Sequence, residues 1–318
     1  MTFKALITEK TDDGYQSRVG DKNLEDLPEG DVLVRVAWSS LNYKDALSAS
    51  GNKGVTRSFP HTPGIDAAGV VEEAGDGPFS VGDAVICTGY DLGMNTSGGY
   101  GDYIRVPAEW LAPLPAGLSA RDAMVLGTAG LTAALCVEAL IDTGLQPEQG
   151  EVLVTGAAGA LAQHVIALLK ENYEVVGVEF RGLQTDYPDT VDYVVDFNTR
   201  PFEDVFREHG FMGIIHLGRI RFTQSTRNRR YSANVVGTAR LLRLARKYGV
   251  EQVIALSTYH VYGADARNPS LIDEEYPMRA ANLMPEIVDA VELENLFNIH
   301  LYKHPELNIA ILRPCNIA

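Results

Sequence analysis

The sequence is poor in cysteine, in positive charge and in long unbroken apolar runs, and each shortage removes a class of function. Only three cysteines, Cys87, Cys136 and Cys315, occur in 318 residues. Their spacing pairs with nothing, so neither a disulfide framework nor a zinc knuckle can be built from them, and a reducing cytoplasm fits. Lys and Arg number 27 against 42 Asp and Glu, a formal charge of −15, with a pI near 4.9. Such an acidic surface repels nucleic acid and anionic membranes. The short basic cluster Arg227-Asn-Arg-Arg230 reads as a solvated helix face. The most apolar window, Ala123 to Val137, is interrupted by polar and glycine residues and falls short of the roughly 20 residues that span a bilayer. It reads as a buried helix. The N-terminal Met-Thr-Phe-Lys-Ala lacks the apolar core of a secretory signal. A globular cytoplasmic protein of two domains is expected, with no nucleic-acid or membrane partner.

What the chain does have is centred on Val152-Leu-Val-Thr-Gly-Ala-Ala-Gly-Ala-Leu-Ala162. Three apolar residues make a short buried strand, Gly156 and Gly159 a tight turn, and Leu161, Val165, Ile166, Leu168 and Leu169 recur at helical spacing. Glycine lets backbone N–H groups at the helix start approach a pyrophosphate, and the helix dipole favours an anion there. The helix leads into Val175-Val-Gly-Val178, closed by Glu179. The dinucleotide fingerprint expects an acidic residue on the adenosine ribose at about this distance. Ala162 stands where a third glycine is usual and is small enough for helix–strand packing. The motif therefore predicts a dinucleotide held by Thr155, Gly156, Ala158, Gly159 and Leu161, with Glu179 on the ribose diol. A carboxylate there repels a 2′-phosphate, so NAD(H) is expected; Arg181 is the competing element that would hold NADP(H). Asp196, after the third strand, either accepts from the adenine amino group or caps its strand end.

Around this turn the texture of the chain changes. From Met1 to about Pro115 the segments are short and rich in β-formers, among them Ala5–Ile7, Asp31–Ala37, Ala67–Val71, Asp83–Cys87 and Gly101–Val106, with turn residues between them. This half reads as an antiparallel, partly closed barrel. Two helical stretches follow, Ala120 to Gly130 and Leu131 to Thr143. Strands at 152–154, 175–178, 193–195, 213–217, 252–256 and 309–312 then alternate with helices near 202–208, 233–248 and 287–301. That alternation predicts a parallel sheet covered on both faces. The domains are expected at 1–115 and 116–318.

Two family resemblances lie on either side of the glycine turn. Residues 1 to about 158 resemble the zinc-independent medium-chain reductases of the acrylyl-CoA reductase and quinone oxidoreductase branch. The matching blocks are Trp38-Ser-Ser-Leu-Asn-Tyr-Lys-Asp45, Pro63-Gly-Ile-Asp-Ala-Ala-Gly69, Gly98-Gly99, Ala123-Met-Val-Leu-Gly-Thr-Ala-Gly-Leu-Thr132 and Gly150-Glu-Val-Leu-Val-Thr-Gly156. Residues from about 152 to 318 resemble the extended short-chain dehydrogenases of the NAD-dependent epimerase/dehydratase family. There the matches are Thr155-Gly-Ala-Ala-Gly159, Val195-Asp196, His216-Leu-Gly218, Asn234-Val-Val-Gly-Thr238, Leu256-Ser-Thr258, Val261-Tyr-Gly263 and Ile311-Leu-Arg-Pro-Cys-Asn316. The resemblances imply an α/β chain, a GroES-like partly open β-barrel followed by a Rossmann doubly wound sheet, and they add Leu217 and Gly218 to the cofactor residues. The chain reads as a fusion through the shared strand-turn-helix. The later barrel strands of one family and the substrate domain of the other do not follow within these 318 residues. The open edges this implies would invite a homodimer.

The front resemblance implies hydride transfer from a reduced nicotinamide to an enoyl thioester or a quinone. Where zinc-binding relatives carry Cys and Gly-His-Glu, this chain has Asn42-Tyr-Lys-Asp45 and Gly64-Ile-Asp66, without thiolate or imidazole. Asn42 and Tyr43 are hydrogen-bond donors suited to face the acceptor, Lys44 and Asp45 suggest an ion pair holding the loop, and Tyr90 is a further acceptor-side candidate. Scaffolding and rim packing are the alternatives. The back resemblance implies a Tyr-x-x-x-Lys pair, but anchoring on Asp289 places Glu286 and Ala290 at those positions, and Thr258 and Tyr259 near the expected serine read as strand-end residues. Three functions follow as alternatives: a medium-chain reductase, a non-catalytic NAD(P)-binding module, and an epimerase or dehydratase relative without its acid–base pair.

Overall fold

Short β-forming runs bounded by Gly, Pro and Asp turns favour antiparallel pairing, whereas apolar runs separated by helices favour parallel strands. Both patterns appear in the computed structural model, which describes the chain apart from residues 181–186, 221–224, 264–266, 269–271, 281–286 and 315–318. It divides into Met1–Leu131 and Thr132–Asn316.

In the first unit β1 (Thr2–Thr11) and β2 (Gly14–Asn23) form an antiparallel hairpin. Sequence reading missed β2 for a physical reason: Gly20 is the only residue of that strand that is buried, so no apolar alternation marks it. The main sheet contains β3 (Val32–Trp38), β4 (Asp66–Ala74), β5 (Ala84–Thr88), β6 (Tyr103–Val106) and β7 (Ala112–Pro113), in the antiparallel order β6-β3-β4-β5-β7. Val32, Val34, Val71, Val85, Ile104 and Val106 fill its interior. Each fully buried aliphatic side chain of this kind stabilises the fold by about 1.5–3 kcal/mol. Bridges Ala5–Gly101 and Thr8–His61 tie the hairpin to the segments that lead into β6 and β4, in a GroES-like fold.

Helix α1 (Tyr43–Ala49) starts at Asn42, whose N–H donates to the Asp45 carboxylate three residues on. Helix α2 (Ala120–Asp142) joins the two expected helical stretches, but its break falls at Gly127, with φ 52° and ψ −153°, rather than at Gly130. The reason is a carboxylate. Asp66 Oδ2 accepts from the Thr128 N–H at 3.0 Å and Asp66 Oδ1 from the Thr128 hydroxyl at 2.6 Å, so Asp66 caps the second half of α2 from another element. By length and composition α2 is apolar enough to cross a membrane. The run after Gly127 alone is shorter than the ~20 helical residues a bilayer needs. The expectation of a buried helix is corrected too, since Val125, Leu126, Leu131, Leu135 and Ile141 are exposed.

In the second unit all six strands are parallel: β8 (Glu151–Thr155), β9 (Val175–Phe180), β10 (Tyr193–Val195), β11 (Phe211–His216), β12 (Gln252–Leu256) and β13 (Asn308–Leu312), in the order β10-β9-β8-β11-β12-β13. This is the doubly wound Rossmann order, which reverses between β8 and β11. The helices are α3 (Ala160–Leu169), α4 (Arg200–Glu208), α5 (Arg227–Tyr231), α6 (Gly237–Lys247) and α7 (Val288–Lys303), with a π-helical turn at Ser232–Val236 between α5 and α6. Two apolar layers pack on the sheet, one around Phe202, Phe206, Leu241 and Phe297, the other around Val152, Val154, Val165, Ile166 and Ile254.

Gly127→Ala tests the break in α2. A Cβ there would lie 2.8 Å from Asp66 Oδ2 on a backbone that essentially only glycine adopts. Urea denaturation should show a loss of about 2 kcal/mol or more. An unchanged midpoint would mean that the break places no demand on this position.

Candidate functional site

Strand order alone puts a crevice at the C-terminal ends of β8 and β11, and the residues there explain why the backbones can meet. Gly156, at φ 73°, lies so close to Gly218 that a Cβ on it would sit 2.7 Å from the Gly218 Cα. Below this contact runs a buried chain of hydrogen bonds. The Gly218 N–H donates to Thr155 Oγ1 at 3.2 Å, Thr155 Oγ1 bonds His216 Nδ1 at 2.7 Å, and His216 Nε2 bonds Thr238 Oγ1 at 2.9 Å. Burial pushes the His216 pKa down to about 4, so a neutral imidazole joins the two hydroxyls.

The turn amides are themselves paired. Gly156 and Ala157 N–H donate to the Val178 carbonyl, and Gly159 N–H to the Gly156 carbonyl. Ala158 N–H donates to Glu179 Oε2 at 2.9 Å, and the Phe180 N–H to Glu179 Oε1 at 2.8 Å. Burial raises the Glu179 pKa against the lowering by these two N–H groups. The donors remaining for a pyrophosphate are the first-turn N–H groups of α3, which have no intrahelical acceptor. Leu161 and Leu217 are half-buried against the apolar layer below. The sequence candidates Thr155, Gly156, Ala158, Gly159, Leu161, Glu179, Leu217 and Gly218 thus come together at the ends of β8, β9 and β11 and the start of α3. Asp196 closes β10 as an Asx turn, its Oδ1 accepting from Asn198 N–H at 2.8 Å. Arg181 and Glu286 lie outside the described residues.

Two features here were not read from the sequence. Arg230 belongs to the cluster read as a solvated face, yet it is buried, with Nε 3.4 Å from Asp289 Oδ1. Asp289 Oδ2 accepts from Asn234 Nδ2 at 2.6 Å, and Asn234 also bonds both the N–H and the C=O of Ile220, just past Gly218. Ala290, at the expected lysine position, is buried with Val261, Tyr262, Ile287 and Val291. Thr258 caps a short 3₁₀ turn, Tyr259–Tyr262, accepting from His260 N–H.

In the first unit Asn42 is buried, and its amide donates at 3.0 Å to both Ser40 Oγ and Asp66 Oδ2. Asp66 Oδ2 also accepts from Ser40 Oγ. The expected Lys44–Asp45 ion pair does not form. Asp45 instead accepts from the N–H groups of Asn42, Gly64 and Ile65 and from the Tyr100 hydroxyl. Backbone donors in the loop suit a buried carboxylate better than a mobile lysine, although burial still raises its pKa. Tyr43 is 53% exposed and Tyr90 60% exposed, the latter with its ring stacked on Trp110. Burial pushes the Cys87 and Cys136 thiols up to about 12 and about 11, well away from nucleophilic use.

Residues 152–317, just over half of the chain, match the NAD dependent epimerase/dehydratase family. The chain belongs to that family. Residues 28–116 match the alcohol dehydrogenase GroES-like domain. The probable acrylyl-CoA reductase AcuI of Escherichia coli (strain K12) is 46% identical over 186 residues, 58% of this chain and 57% of its own. The putative quinone oxidoreductase YhfP of Bacillus subtilis (strain 168) is 45% identical over 186 residues, 58% of this chain and 56% of its own. The chain therefore spans a little over half the length of these curated relatives. Among solved structures, Bacillus subtilis yhfP with NAD bound is similar at a TM-score of 0.62 and 29% identity, over 98% of this chain and 99% of that one. The yhdH oxidoreductase from Salmonella enterica in complex with NADP is similar at a TM-score of 0.58 and 34% identity, over 80% and 74%.

The buried imidazole makes stability depend on pH. Unfolded, His216 titrates near 6.5 and takes up a proton that the folded chain refuses until about pH 4. Its contribution is complete above pH 6.5 and is lost as pH falls toward 4, by on the order of 3 kcal/mol. Urea denaturation of the parent and of His216→Gln at pH 7 and pH 4.5 should show a steeper acid loss in the parent. Equal losses would contradict the assignment.

Proposed function

We propose that the chain is an NAD(P)H-dependent oxidoreductase of the medium-chain type that reduces an enoyl thioester, such as acrylyl-CoA, or a quinone. The observation that carries this reading is the apposition of Gly156 and Gly218 at the reversal of strand order, with Glu179 beside Ala158. The identity to reductases of that branch supplies the reaction class. Bound there, the reduced nicotinamide would supply a hydride to the thioester β-carbon while a proton adds at the α-carbon, or reduce a quinone to its hydroquinone. The first turn of α3 would hold the pyrophosphate and Glu179 the adenosine ribose, which favours NAD(H) over NADP(H). Tyr43 and Tyr90 are the acceptor-side residues, and Asn42 acts by positioning, since its amide is spent on Ser40 and Asp66.

We also infer that the chain joins two family patterns through β8, the glycine turn and α3. Alanine at position 290 leaves the second pattern without its acid–base pair, which favours, as a second reading, cofactor binding without turnover. The outer edge of β13 has no strand partner among the described residues, which supports a homodimer, and the buried thiols of Cys87 and Cys136 suit a reducing cytoplasm.

The test is oxidation of NADH and NADPH with acrylyl-CoA and with a quinone, beside calorimetric titration of each cofactor. Turnover with tight cofactor binding is expected; binding without turnover would leave only the second reading, and no binding would remove both. In Glu179→Gln, loss of the charge that repels a 2′-phosphate should shift the NADH-to-NADPH affinity ratio toward NADPH by about tenfold, ~1.4 kcal/mol. An unchanged ratio would take Glu179 out of cofactor choice.

A further inference from the structure

The far end of α7 carries two imidazoles that neither the crevice nor the core uses. His300-Leu-Tyr-Lys-His304 closes the helix, with His300 in its last turn and His304 as the residue that caps it. Side chains four apart on a helix are neighbours. The His304 N–H donates to the His300 carbonyl at 2.8 Å, so the turn between them is intact. Their rings stand side by side, 5.3 Å between centroids and tilted by 48°. The His300 Nδ1–H donates to the Leu296 carbonyl at 2.9 Å, which makes Nε2 the nitrogen with the lone pair. His304 Nδ1 faces Glu306 Oε1 at 3.5 Å, and that carboxylate is itself held by Arg246 Nε at 3.0 Å. An acceptor behind one nitrogen is how a metal-binding imidazole is oriented with its other nitrogen presented outward. The last carbonyls of the helix add negative partial charge at this end, which favours a cation.

We propose that Nε2 of His300 and Nε2 of His304 chelate one divalent cation of the late first transition row, copper most tightly, with water in its remaining positions. Imidazole selects copper, nickel and zinc over magnesium and calcium, which take oxygen ligands, and copper stands highest in the affinity order. Glu306 orients His304 and does not complete the site, because Arg246 holds it. Among the described residues no group of three His, Cys, Asp or Glu is placed to hold a metal. Two protein ligands and open positions make this an exchangeable site and not a structural cage. It is also remote from the crevice. Asp289, whose carboxylate reaches Asn234, lies near the other end of α7, roughly 22 Å away at 1.5 Å of rise per residue. What the cation does there is mechanical: a chelate across the final turn keeps α7 from fraying where the chain turns back toward β13, and this holds whatever the second unit catalyses.

The experiment uses the full chain and copper(II) iminodiacetate, a chelate with adjacent open positions that two neighbouring imidazoles can fill. Electron paramagnetic resonance should show one copper per chain, with splitting from two imidazole nitrogens. His300→Gln and His304→Gln should each weaken binding at least about tenfold, while His164→Gln, on α3, leaves it unchanged. Circular dichroism of each variant checks that the fold is retained. In a second measurement, zinc chloride should raise the urea midpoint of the parent and not that of His300→Gln. Copper bound through a single nitrogen, affinity that survives both α7 substitutions, or an equal zinc effect in parent and variant would overturn the proposal. None of these readouts involves a nicotinamide cofactor, so their failure would leave the oxidoreductase reading standing.

Discussion

The second unit depends on two backbones being allowed to touch. A parallel sheet whose order reverses between β8 and β11 must bring the loops after those strands side by side, and any Cβ on Gly156 would force them apart. The contact would be worth little if the loops beneath it could shift. Thr155, His216 and Thr238 prevent that by linking the end of β8, the end of β11 and the start of α6 through one imidazole. In an apolar interior this chain has to be satisfied throughout, because a buried donor or acceptor left unpaired costs about 1–3 kcal/mol. The position of the crevice is thereby fixed by buried hydrogen bonds.

Asp66 does comparable work in the first unit. It lies fully buried and accepts from Ser40, Asn42 and both donors of Thr128. A carboxyl group is buried at low cost when several N–H and O–H groups replace its water. Those groups come from the loop before α1 and from the restart of α2, so one side chain sets both. The same arrangement explains why Asn42 turns inward, although its place in the sequence made it a candidate for the acceptor side. Its amide N–H groups are taken up by Ser40 and the buried Asp66 side chain.

The parallel strands were legible in the sequence because buried strands read as apolar runs: 152–154, 175–178 and 252–256 each fall within an observed strand. The glycine turn was legible because its chemistry is local. What sequence could not give was assembly over distance. Ser40, Asn42, Asp66 and Thr128 are polar residues of ordinary type that become a site only when the sheet is folded, and nothing periodic marks them. β2 was missed because its side chains are mostly exposed. The break in α2 had a signal, Gly127 inside an apolar helical run, but the run also contains Gly130, and choosing between them requires knowing where Asp66 lies. Arg230 was misjudged because charge predicts exposure until a buried partner such as Asp289 is known.

Helix α7 shows that the scaffold and the chemistry of the second unit are separable. Glu294 is fully buried, accepts from Ser257 and pairs with Arg313, whose Nη1 reaches Tyr262 at 2.7 Å. Removing either charge would strand the other in the interior at about 3–5 kcal/mol, so the fold requires the pair to remain intact. Position 290 carries no such constraint. A methyl among Val261, Ile287 and Val291 packs without any partner, where a lysine would need one. Asp289, the residue before it, still reaches through Asn234 to the loop beyond Gly218. The side chain that would do acid–base work at 290 can therefore be absent while the elements that shape the crevice between β8 and β11 stay in place, so the scaffold of the crevice does not depend on what α7 carries at that position.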